Sequence, residues 1–254
     1  LTGMYLLPGF IDTHVHVHSM KSGQKVPPEY VLKLLLAHGI TSVRTLGPHD
    51  ETTEWLMAVK HRIDRNEATG PRLHVYPHFS LDTKTPILTA DDARKRVREI
   101  KRLGASGIKF GFGGGTEEIL WAALEEADRL GLRTTMHHAQ LEVTYANVLT
   151  TSAHKLKSME HWYGLPEAMF ENRRVQAFPN SYLYHNEQDR FAEAGRLWRQ
   201  TAPPGSERWN SVIDTLIARD FGISPTMTAY LTSRDFMRMS RAIWHDTYTT
   251  PSLG

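Results

Sequence analysis

The stretch Leu6-Leu7-Pro8-Gly9-Phe10-Ile11-Asp12-Thr13-His14-Val15-His16 ends an apolar, extended run with two histidines one residue apart. Side chains alternate faces along a strand, so His14 and His16 project the same way while Ile11 and Val15 project oppositely. Two neutral imidazoles at that spacing can ligate one divalent ion, each nitrogen roughly 2.0–2.1 Å from a zinc. His18 shares their parity. Ser19, Lys21, Ser22 and Gly23 nevertheless read as the end of the strand, which makes His18 a loop histidine.

Short apolar strands alternating with helical segments organise the rest of the chain, the pattern of βα units around a parallel sheet. Pro28 to His38 carries Tyr30, Val31, Leu34 and Leu35 at helical spacing and stops at Gly39. Strand two follows over Ile40 to Leu46, a helix over Thr53 to Asn66, and strand three over Arg72 to Phe79. Thr89-Ala90-Asp91-Asp92 fits a capping box that opens a helix ending near Leu103-Gly104. Ser106 to Phe112 reads as strand four, Glu117 to Leu130 as a helix closed by Gly131, and Leu132 to His138 as strand five. Leu156 to His161 and Gly222 to Thr228 complete seven strands, with a helix over Ser233 to His245. Residues 163–209 do not read as a simple βα connection. They hold Tyr163, Phe170, Phe178, Tyr182, Tyr184, Phe191, Trp198 and Trp209, and fit either a pocket wall or a helical hairpin with its own small core.

Composition narrows the classes of function. Forty per cent hydrophobic residues over 254 positions suffice for a sizeable core. Thirty basic against 28 acidic residues give no electrostatic reason for a nucleic-acid partner, and Arg94 to Arg102 reads as the solvated face of one helix. No run approaches the roughly 18–20 apolar residues of a membrane span, and the start lacks the layout of a secretion signal. Zero cysteines exclude disulfides and thiolate sites. The expected partner is a small-molecule substrate, without nucleic acid or membrane; a homo-oligomer is compatible with this composition.

The segment from Pro8 to His16 resembles the first barrel strand of the amidohydrolase superfamily, which carries Pro-Gly-hydrophobic-Ile-Asp-x-His-x-His there. The resemblance runs from Leu6 to about Tyr230 and implies a TIM-like (β/α)8 barrel, of which about seven strands lie in this chain. It implies a lysine on strand four, and Lys109 in Gly107-Ile108-Lys109-Phe110-Gly111 matches. In many such proteins that lysine reacts with carbon dioxide, and the CO2-derived carbamate bridges two metals. Single histidines are implied on strands five and six. His137 lies six residues after Gly131, as the pattern asks, with His138 the alternative; His161 ends Lys157-Ser158-Met159-Glu160-His161. The resemblance thus implies His14 and His16 on one ion, His137 and His161 on a second, and carbamylated Lys109 between them. Zinc is the expected metal, two ions in number, although manganese or iron suits similar ligands.

The implied activity is metal-dependent hydrolysis of a carbon–nitrogen bond, in an amide, cyclic amide or peptide-like substrate, by metal-activated hydroxide. The motif style is nearest to the imidazolonepropionase and prolidase-like branch. Tyr163, two residues past His161, could hydrogen-bond a substrate carbonyl or pack. The Gly113-Gly114-Gly115 run suits a loop close to bound substrate. The family also carries an aspartate after strand eight and commonly a small β-sandwich from both chain ends. Neither is found here, and Asp220, Asp235 and Asp246 lie in helical or turn contexts that fit no such role. The chain therefore reads as a fragment of a longer enzyme. A catalytically incomplete barrel and a phosphotriesterase-like hydrolase are the competing readings.

Overall fold

The computed structural model describes residues 3–22, 25–48, 50–81, 83, 85–111, 115–140, 142–241 and 243, leaving aside the side chains of Glu187, Gln188 and Ser233. In chain order the elements are β1 (Phe10–Val15), α1 (Pro28–Ala37), β2 (Ile40–Thr45), α2 (Thr53–Asp64), β3 (Arg72–Val75) and α3 (Ala90–Arg102). Then come β4 (Gly107–Phe110), α4 (Glu117–Arg129), β5 (Arg133–His137), α5 (Val148–Ala153), β6 (Ser158–Glu160) and α6 (Leu165–Ala168). The chain continues with α7 (Glu187–Leu197), a 3-10 turn (Trp198–Gln200), α8 (Glu207–Ala218), β7 (Gly222–Ser224), α9 (Met227–Arg234) and α10 (Phe236–Met239).

Local chemistry sets the helix starts. Pro28 supplies a fixed φ and no stranded N–H in the first turn of α1. The Thr52 hydroxyl accepts from the Trp55 amide at 3.2 Å to cap α2. The capping box opening α3 is formed: the Asp92 amide donates to Thr89 Oγ1 at 3.2 Å, and the Thr89 amide donates to Asp92 Oδ2 at 3.1 Å.

Two compact units divide the chain. The first is built from described residues within Leu1–Pro86, Lys95–Lys109 and Thr226–Gly254, the second from those within Ile87–Arg94 and Phe110–Pro225. In the first, a sheet of order β1-β2-β3 is parallel throughout, with β2 and β3 in unbroken register from Ser42↔Arg72 to Thr45↔Val75. Val43, Leu73 and Val75 project from it onto Leu32, Leu56, Met57, Val59 and Ile63 of α1 and α2. β1 is the edge of that sheet, and its Phe10 and Ile11 are 66% and 67% exposed. Strand three stops earlier than its sequence indicates because Pro77 has no N–H to continue the ladder. One parallel bridge, His78↔Lys109, resumes it, with the Lys109 amide donating to the Pro77 carbonyl at 2.9 Å.

Arg96 departs from the solvated-face reading of α3. It is 5% exposed, and its guanidinium donates to the carbonyls of Phe79 at 3.2 Å and Leu81 at 3.1 Å and to Glu99 at 2.9 Å. It thereby pins the turn that follows β3.

A second sheet has the order β4-β5-β6-β7. Within the second unit, β5 pairs with β6 and β6 with β7, all parallel, through Thr135↔Ser158 to His137↔Glu160 and Ser158↔Gly222 to Glu160↔Ser224. Met159 packs among Val148, Leu165, Met169, Val212 and Leu216. β7 is shorter than its sequence suggested, because Pro225 follows Ser224 and Thr226 turns into a left-handed conformation (φ 51°) that opens α9. In place of one helix from Ser233, α9 and α10 meet at Asp235, whose carboxylate is held by Arg234 and Arg238; His245 lies outside the described residues. The architecture is α/β with parallel sheets. No helix among the described residues is long and apolar enough to cross a membrane.

Replacing Arg96 with methionine leaves the carbonyls of His78, Phe79 and Leu81 without their donor and Glu99 without its cation. The expected loss is about 2–4 kcal/mol in urea unfolding; a loss below about 0.5 kcal/mol would show that the turn holds without Arg96.

Candidate metal centre

In the first unit, β1 ends at Val15 and delivers His14 and His16 as it leaves the sheet. Their ring centroids are 5.3 Å apart. The His14 amide is tied to Asp12 Oδ1 at 3.0 Å. His16 Nδ1 lies 3.0 Å from the carbonyl oxygen of Gly47, so Nδ1 carries the proton and Nε2 the lone pair. That tautomer is the one a metal-ligating imidazole adopts when its other nitrogen is held by a carbonyl. Gly47 itself has φ 76°, and a Cβ there would stand 3.2 Å from the backbone nitrogen of His78, so the position is restricted to glycine on two counts.

His18 lies beyond the strand, as its surroundings in sequence indicated. Its ring is 6.2 Å from that of His16, and its Nδ1 is 3.4 Å from Asp50 Oδ1. Asp50 Oδ2 accepts from both the amide and the hydroxyl of Ser19, at 2.9 and 2.8 Å. Burial pushes the Asp50 carboxyl up, but the Ser19 and His18 hydrogen bonds outweigh it and hold the group below its usual range. Asp50 stands 32 residues from His18, beyond the reach of any local motif. Lys109 is 3% exposed between the equally buried Ile108 and Phe110.

In the second unit, β5 and β6 carry the other pair. His137, last residue of β5, and His161, one past β6, have ring centroids 4.6 Å apart, with the Tyr163 ring 6.5 Å from that of His137. His161 adopts φ 61°, a conformation that costs a branched-chain or bulky residue on the order of 1–3 kcal/mol, and its amide is fixed by the Ser224 carbonyl at 2.9 Å. His138 is placed quite differently. It is fully buried, Nε2 lies 3.0 Å from the Thr151 hydroxyl, and a Cβ on Gly164 (φ 91°) would meet its ring at 2.9 Å. It lies in the interior, while His137 is partly exposed beside His161. Glu160, 1% exposed, accepts from the Thr135 hydroxyl between the two strands.

The donor chemistry fits divalent ions. A ring centroid lies roughly 3.2 Å from an ion bound at its nitrogen, so two rings sharing one ion stand about 4.5–5.2 Å apart for angles between square and tetrahedral. Both histidine pairs meet that spacing within about 0.1 Å. Among the described residues no three His, Asp or Glu side chains converge as a metal-binding group, so each pair needs further donors of another kind. Asp235 is engaged by arginines, Asp220 ends α8 in a left-handed turn, and Asp246, Gly113 and Gly114 lie outside the described residues.

The sequence profile of the amidohydrolase family matches residues 5–201. The chain belongs to the amidohydrolase family. It is 29% identical over 155 residues to an adenine deaminase of Bacillus licheniformis, covering 58% of this chain and 26% of that protein. To an adenine deaminase of Methanoculleus marisnigri it is 33% identical over 126 residues, 44% of this chain and 23% of the relative. The chain thus spans about a quarter of the length of these relatives. A Xaa-Pro dipeptidase with bound methionine in its active site superposes with a TM-score of 0.53 at 16% identity, over 89% of this chain and 55% of that one; that likeness concerns the fold. Proteins of this family generally use divalent metals.

Glu167 offers a test of the turn that follows His161. Burial raises its carboxyl to about 7, while the Gly164 amide donates to it at 2.8 Å. A folded-state value above the unfolded one means that the folded protein binds the extra proton, so stability falls as pH rises from about 4.5 to about 7. Urea unfolding should lose on the order of 3 kcal/mol over that window, and Glu167→Gln should flatten the slope. An unchanged slope in the variant would assign the pH dependence elsewhere.

Proposed function

We propose that this chain carries the metal-binding part of a hydrolase that cleaves a carbon–nitrogen bond, on a barrel-type (β/α)8 framework. The observation carrying the reading is the pairing of imidazoles at metal-sharing distance, His16 with its Nδ1 already committed to Gly47, in a chain of the amidohydrolase family. His14 and His16 hold one divalent ion, His137 and His161 another, with zinc the metal. Lys109, buried in the same unit as His14 and His16, adds an anionic ligand once carbamylated. Carbamylation also resolves the cost of an ammonium in that position, since it replaces a buried cation by an anion suited to dications. The sequential parallel order β1-β2-β3 and β4-β5-β6-β7 supports the barrel-type arrangement.

Bound metal would polarise the oxygen or nitrogen attached to the carbon under attack and would lower the pKa of water. The chain's own residues orient and shield. Gly47 sets the His16 tautomer, Glu160 and Thr135 fix β5 against β6 behind the second pair, and Tyr163 stands beside His137 where its hydroxyl can meet a substrate oxygen. The adenine deaminase relatives make adenine and related cyclic amidines or amides the first substrates to try.

Ammonia release from adenine, and ring opening of cyclic amides, should be detectable with zinc-loaded protein and abolished by a chelator. His137→Ala should lower turnover by more than the roughly 10–100-fold that loss of an outer-shell partner costs. A folded, metal-loaded chain that turns over no carbon–nitrogen substrate would sink the hydrolase reading in favour of a non-catalytic barrel piece.

A further inference from the structure

Gln140 lies three residues beyond His137, on the segment that leaves the C-terminal end of β5, and is 5% exposed. Its Oε1 accepts from the Tyr182 hydroxyl at 2.8 Å. A carboxamide has one acceptor end and one donor end, and here the oxygen end is the one that meets the Tyr182 hydroxyl. The Nε2 end is buried and meets no acceptor among the described residues. Buried donors are rarely left so in native proteins, because the protein then forfeits the hydrogen bonds water would have made.

The neighbours hold this donor still. His138, two residues earlier, is fully buried against Thr151 and Gly164, which anchors the backbone leading to Gln140. Tyr182 comes from the aromatic segment 163–209 and stacks on Phe178, ring centroids 4.3 Å apart at 13°. Burial raises the Tyr182 phenol, so it stays a protonated donor at neutral pH. Forty-two residues separate Tyr182 from Gln140, and all of these groups lie in one unit with His137 and His161.

We propose that Gln140 is a substrate-recognition residue, whose NH2 group, aimed by Tyr182, donates to a carbonyl oxygen or ring nitrogen of a planar amide or nitrogen heterocycle bound beside His137. The inference rests on the hydrolase reading above for the location of the substrate. Tyr182 is then a positioning residue, which gives the aromatic segment a part in specificity.

The test uses zinc-loaded protein titrated with adenine, hypoxanthine and hydantoin, followed by calorimetry and by the Gln140 side-chain NH2 signal in proton–nitrogen correlation spectra. At least one probe should shift that signal. Gln140→Glu, which keeps the shape but replaces the donor by an acceptor, should weaken binding of that probe about tenfold or more with unchanged zinc content and Tm. Tyr182→Phe should weaken it by a smaller factor; a purely structural role would lower Tm and leave Kd alone. Binding by Gln140→Glu equal to the unaltered protein, or a Gln140 signal unmoved by every probe, would overturn the inference. Probe binding through Gln140 with neither ammonia release nor ring opening would remove the hydrolase reading and keep the recognition role. Turnover indifferent to Gln140→Glu would do the reverse.

Discussion

One backbone carbonyl, that of Gly47, anchors the first histidine pair. It accepts a hydrogen bond from His16 Nδ1, and the left-handed turn that presents it brings Gly47 within close approach of the His78 backbone. His78 in turn bridges to Lys109. His16, Gly47, His78 and Lys109, at or just past the C-terminal ends of four successive strands, are therefore linked one to the next, and the chain achieves this with a residue that lacks a side chain. A larger residue would strain the turn and press on His78, disturbing His16 and Lys109 together.

The second histidine pair depends on register. Parallel pairing sets His137 opposite Glu160, so His161 lies one step past the ladder, and its unfavourable φ turns the ring toward His137. The Ser224 carbonyl and the Glu160 hydrogen bond from Thr135 hold that conformation in place. His138 shows the converse arrangement. Locked on Thr151 and against Gly164, it contributes rigidity, and its presence beside His137 in sequence reflects the two-faced nature of a strand.

Features decided by neighbours in sequence were legible without a structure. The parity of His14 and His16, the capping box at Thr89 and Asp92, the loop position of His18 and the βα rhythm all depend on spacings of a few residues. Features decided by distant partners were not. Nothing near Arg96 says that three carbonyls around position 79 will draw it inward, nothing near His18 announces Asp50, and nothing near Gln140 announces Tyr182. Which of His137 and His138 is buried became visible only with α5, because adjacent histidines on a strand carry no signal of which face is solvated.

The most direct test of the account is the zinc content of the folded chain after incubation with zinc and bicarbonate, compared with His137→Ala and His138→Ala. Paired imidazoles and a carbamylated Lys109 predict about two ions per chain, a clear loss of zinc in His137→Ala, and retention of zinc in whatever fraction of His138→Ala folds. A folded chain that binds no zinc, or that loses it equally in both variants, would contradict the assignment of these histidines.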